Sequence, residues 1–167
     1  MANTQTNPWT FTNADQATST AITSIVRNGI ASALVTAVAH GLAANAPISI
    51  QGVTPFGWNG GYRVQAVPGA NTFLITIPAW KSTLANAGAG GNVLTAAFLD
   101  NIRAEQGLWD QAPAASTLLL TNLVGNTVWN PHATLADQPY NSAKILWFEG
   151  LVINTLPAPS NLQLTIY

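Results

Sequence analysis

Between Ile22 and Ile77 the chain is broken repeatedly by turn formers, at Asn28-Gly29, Gly41, Gly52, Asn59-Gly60-Gly61 and Pro68-Gly69. The segments between them are short and rich in Val, Ile and Thr. Breaks every ~8 to 15 residues leave no room for long helices and match the interval of an antiparallel barrel or sandwich. The spacing predicts strands over Ile22–Arg27, Ile30–Val38, Pro47–Gln51, Gly61–Val67 and Thr72–Ile77. Asn28-Gly29 reads as a two-residue hairpin turn, because both residue types tolerate the positive φ of a type I′ turn.

The C-terminal third repeats this style. Strands are expected over Thr117–Leu123, Thr127–Trp129, Ala143–Phe148, Leu151–Leu156 and Asn161–Tyr167, divided by Gly, Pro and Asn clusters. Between the two β halves lies a loop, Pro78 to Gly90, ending in "NAGAGG". One helix is expected next, from Thr95 as a capping hydroxyl to about Trp109. Phe98, Ile102 and Trp109 would share its apolar face, with Asp100, Arg103, Glu105 and Gln106 in water. The fold class is therefore mainly β, with antiparallel barrel or sandwich units and one helix between two β halves. The expected division is an N-terminal arm over 1–19, a β module over 20–78, a loop and helix over 79–110, and a second β unit over 111–167 packed with the first.

Charge narrows the function. Charged residues make up only 7% of the 167 residues, against roughly 25% in an average soluble domain. Surfaces poor in charge, with six Trp to place, suit a chain that lives packed against neighbours. A homo-oligomer or other assembly is the expected state. The five cations, Arg27, Arg63, Lys81, Arg103 and Lys144, are scattered, so no basic stripe for nucleic acid exists. The absence of cysteine rules out disulfides and thiolate metal sites. The N-terminus is polar and unlike a signal peptide, and the longest apolar runs are far short of a membrane span. Few aliphatics over residues 1–19 make that stretch an arm that orders against a partner, anchored by Trp9 and Phe11.

Reactive constellations are sparse. His40 would need partners to act as a base or metal ligand, and the only other histidine, His132, is far off in sequence. A turn role is expected instead: in "VAHGL" Gly41 supplies a positive φ and the ring of His40 bonds local backbone. His132 and Asp137 lack further ligands. Asp100, Glu105 and Asp110 read as solvated helix residues, with Asp100 paired to Arg103 three positions on, rather than as a glycosidase pair. "AGAGGN" lacks the Lys-Ser/Thr of a phosphate loop. No catalytic, cofactor or metal site is expected. Trp9, Phe11, Trp58, Trp80, Trp129 and Trp147 are the interface candidates, a sugar-stacking platform being the alternative use of the indoles.

"VAHGLAANAPISIQGVTPFGWNGGYRVQAV", Val38 to Val67, resembles a small β module recurrent in virion proteins of tailed bacteriophages. In that module Ala-His-Gly-Leu precedes a strand, a Gly turn and then Asn-Gly-x-Tyr-x-Val, here Ile48-Ser49-Ile50, Gly52, Asn59-Gly60 and Tyr62-x-Val64. The usual module has Gly-Asp before the Ile-x-Ile strand, where this chain has Asn45-Ala46-Pro47. The resemblance implies a structural role with virion proteins as partners, and with His40, Gly41, Asn59 and Gly60 as turn residues. It implies a head decoration or cement subunit, or a tail, baseplate or fibre component, located in the virion. It carries over no catalytic residue and no cofactor. A glycan-binding module is the reading from a different class.

Overall fold

The computed structural model describes residues 8–96, 98–135, 138–142 and 146–166. They form a mainly β, sandwich-like fold of antiparallel strands. The described chain divides into two compact units. One, the module unit, comprises Thr18–Leu99 with Leu123–Gly125. The second comprises the described residues up to Ala17 together with those of Asp100–Asn122 and Asn126–Tyr167.

The module unit holds β2 (Ser19–Ala21), β3 (Ser24–Arg27), β4 (Ser32–Thr36), β5 (Pro47–Gln51), β6 (Gly60–Gly69), β7 (Thr72–Thr76) and β8 (Asn92–Thr95). Their order is β2-β8-β5-β6-β7-β4-β3. β6 is long enough to serve two partners. Its first half pairs with β5, Ile48 opposite Tyr62, and its second half pairs with β7, with a register shift after Val64. Such an irregularity bends a strand, and here it folds the sheet over one core. Alternation puts Ala33 and Val35 of β4 and Phe73 and Ile75 of β7 into that core, beside Ile25, Ile48, Ile50 and Trp58. Full burial of side chains of this size contributes about 1.5–3 kcal/mol each.

β5 departs from alternation because it is covered on both faces. Ile48, Ser49 and Ile50 are all buried, and the Ser49 hydroxyl is satisfied by donating to the Leu123 carbonyl at 2.6 Å. Gly91, at the end of the Gly-rich loop, packs closely. A Cβ on Gly91 would stand 2.4 Å from the Gln51 carbonyl, and the residue holds φ +71°. Only glycine fits that approach.

The second unit holds β1 (Pro8–Phe11), β9 (Phe98–Ala112), β10 (Leu119–Thr121), β11 (Thr127–Trp129), β12 (Gln138–Ser142), β13 (Leu146–Thr155) and β14 (Asn161–Ile166). The order is β1-β14-β9-β13-β10-β11, with β12 also on β9. Trp109, Leu118, Leu120, Leu151, Ile153, Leu162 and Leu164 are buried here.

Three stretches differ from the expectation. The helix over Thr95–Trp109 is absent: these residues end β8 and form most of β9, which pairs with β14 from Asn161 opposite Asp110 to Ile166 opposite Ala104. The helical spacing of Phe98, Ile102 and Trp109 coexists with a period-2 pattern, buried Gly107 and Trp109 against half-buried Leu108 and Asp110, and the long-range ladder decides between them. Gly107 was the contrary signal, since glycine weakens a helix interior by about 1 kcal/mol. It is needed where it stands: a Cβ there would lie 2.9 Å from the Trp129 ring. In addition, the loop after β3 has four residues, not two. Asn28 N–H donates to the Ser32 carbonyl, Gly29 takes φ +87°, and Ile30 projects 77% exposed rather than beginning a strand. Pro8–Phe11, expected in a partner-ordered arm, pairs along β14 from Pro8 opposite Thr165 to Phe11 opposite Leu162. Residues 1–7 lie outside the described set.

Candidate functional site

His40 closes a turn. It is buried, with Ala39 and Gly41 on either side at positive φ. Its Nδ1 accepts the Leu42 N–H at 3.0 Å, which leaves the proton on Nε2, 3.3 Å from the Gly69 carbonyl that accepts it. The ring meets Phe73 edge-on, centroids 5.0 Å apart. Both nitrogens are thus engaged with backbone, tying the β4–β5 connection to the β6–β7 turn.

Asn59 has a similar task. Its buried side chain accepts from the Val53 N–H at 2.9 Å and donates to the Val53 carbonyl at 3.0 Å, closing the loop between β5 and β6. Gly60 follows at φ +139°, a conformation that side chains disfavour.

The most unusual chemistry in the unit surrounds Lys81, a residue to which the sequence assigns no role beyond a scattered cation. It lies in a short 3₁₀ turn, Ala79–Thr83, and is only 6% exposed. Its amine donates to the Tyr62 hydroxyl and, at 3.4 Å, to the Asn59 carbonyl. Tyr62 in turn donates to the Trp58 carbonyl at 2.6 Å. The amine stands 4.6 Å from the Tyr62 ring centroid and 5.1 Å from that of Trp80, within cation–π range. No ion pair to Lys81 occurs among the described residues. Burial lowers its pKa to about 8 and raises that of Tyr62, because the interior disfavours either charged form.

Around this amine the surface is aromatic. The 3₁₀ turn Phe56–Trp58 adjoins the Lys81 turn: a Cβ on Gly57 would meet Leu84 at 2.8 Å, and the Trp58 indole donates to the Ala85 carbonyl at 2.8 Å. Phe56 is 70% and Trp80 63% exposed. Arg27 donates to the Ser82 carbonyl, which brings the end of β3 to the same turn.

The other sequence candidates are dispersed. Trp58 and Trp109 are core residues, and Trp129 is half-buried over Gly107. Trp9 is exposed and Phe11 half-buried, both on β1. Trp147 falls in β13, and its side chain lies outside the described set. His132 is exposed, with Nδ1 3.0 Å from the Thr117 hydroxyl, and Asp137 is outside the described residues. Asp100 and Asp110 lie on β9, so the helix on which Asp100 and Arg103 were expected to pair is absent, and the Arg103 side chain lies outside the described set. No protein family matches the chain, and no curated relative does.

Proposed function

We propose that the chain is a structural subunit of a tailed-bacteriophage virion, a head decoration or cement protein that binds neighbouring virion proteins. Beside the resemblance of Val38–Val67 to the phage module, one observation carries the reading. The module unit presents Ile30, Phe56 and Trp80 in the open on a surface almost without charge. Large apolar groups this exposed belong on surfaces that become covered. His40, the one residue of the motif with catalytic potential, is used by the fold, and the reading assigns the chain no reaction and no cofactor. Tail, baseplate or fibre placement is the same role against a different neighbour.

Co-sedimentation tests it. Purified chain mixed with particles lacking it is expected to pellet with them, and Trp80→Ser, which leaves the core intact, is expected to weaken retention. A second reading, glycan binding, draws on the same Trp80, whose exposed indole can stack on a sugar face. Saturable signal on a sugar array, lost in Trp80→Ser, together with no retention on particles, would replace the structural reading.

A further inference from the structure

We propose that the Lys81 amine receives a carboxylate from a second copy of this chain, docked against the adjoining 3₁₀ turns that carry Phe56 and Trp80. This deepens the structural reading by naming the neighbour and the chemistry of the contact.

Four observations converge. First, Lys81 is buried with neutral oxygens as its acceptors and no counter-ion among the described residues. An ammonium held that way is costly, and an incoming carboxylate within hydrogen-bond distance offsets the cost. Second, the amine can be approached. At the point where a Cβ on Gly60 would stand, Lys81 Nζ lies at 3.7 Å and, chain neighbours aside, no other described atom comes within 4 Å. Gly60 is half-buried and carries no side chain to stand over the amine. Third, Trp80, its ring centroid 5.1 Å from the amine, and Phe56, on the adjoining 3₁₀ turn, are exposed aromatics, the kind of residue that anchors an interface.

The fourth observation selects the occupant. The sequence of the module unit contains Arg27, Arg63 and Lys81 and not one Asp or Glu. All six acidic residues fall in the second unit, with two cations, and Asp15, Asp100 and Glu149 are exposed there. A chain so divided carries both halves of a complementary contact. Module unit to acidic unit is a heterologous, head-to-tail contact, which builds rings where the rotation closes and filaments where it does not.

The test uses the full chain. Light and isotopically heavy protein are mixed and treated with a carbodiimide, which joins an amine to a carboxylate only where they touch, and linked peptides are sequenced by mass spectrometry. Mixed light–heavy peptides joining Lys81 to an acidic residue are expected. Sedimentation velocity of untreated protein is expected to show concentration-dependent association, weakened tenfold or more by Lys81→Met or Trp80→Ser and weakened by salt. Trp80→Ser keeps the test valid should Lys81→Met not fold, since Trp80 is outside the core. Lys81 links confined to light–light and heavy–heavy pairs, or a monomer at every concentration, would overturn the proposal. Neither result touches the virion reading, which fails only if the chain does not bind particles.

Discussion

The Tyr62 hydroxyl accepts a hydrogen bond from the Lys81 amine and donates one to the Trp58 carbonyl at 2.6 Å. One phenol thereby connects β6 to two 3₁₀ turns that carry the exposed Phe56 and Trp80. The connection predicts that Tyr62→Phe is felt twice, leaving the Trp58 carbonyl without its donor and the amine with the Asn59 carbonyl alone as acceptor. A loss of about 1–3 kcal/mol is expected, read from urea unfolding. Because Lys81 and Tyr62 share one network, the effects of Tyr62→Phe and Lys81→Met should fall short of additive.

Stability should depend on pH through the same pair. Lys81 has its folded pKa lowered to about 8 from 10.5, so between those values the unfolded chain binds the extra proton and stability rises with pH. The full span corresponds to about 3 kcal/mol. Tyr62 acts oppositely: its folded pKa is raised, so stability is lost above pH 10, where the unfolded phenol ionises. Unfolding midpoints should climb from pH 8 to near pH 10 and then decline. Lys81→Met should abolish the climb and keep the decline.

His40→Ala removes the acceptor of the Leu42 N–H, the donor to the Gly69 carbonyl and the edge contact to Phe73. About 1–3 kcal/mol of stability should go with them. Retention on particles at a temperature where the variant stays folded should match the parent chain. Loss of retention without loss of stability would assign His40 to the contact surface.

Gly107→Ala places a methyl group 2.9 Å from the Trp129 ring. Overpacking of this kind costs about 1–3 kcal/mol. Thermal unfolding should register it, and tryptophan fluorescence should shift as Trp129 is displaced.

What the sequence revealed and what it concealed follow from the range of the interactions. Turn chemistry is local, so Asn59-Gly60, His40-Gly41 and the strand Pro47–Gln51 were legible from a few neighbouring residues. β9 was not, because its apolar positions fit both periods and its ladder with β14 lies some fifty residues away in sequence. Lys81 carried no local signal at all: its burial depends on Tyr62 and Asn59, brought over by β6. Nor did single-letter identity show which Trp reaches water, since Trp58 and Trp80 stand in similar surroundings of Pro, Gly and Ala yet one is core and the other exposed. The segregation of charge needed no contact, only the division of the chain into its two units.

The central claim, that this chain serves by being packed against virion proteins, is tested most directly by electron cryomicroscopy of intact particles that contain it. The account predicts density for the chain at regular positions on the particle, with Phe56 and Trp80 buried against a neighbouring subunit. Particles complete without the chain, or a bound chain whose Phe56 and Trp80 both face solvent, would contradict it.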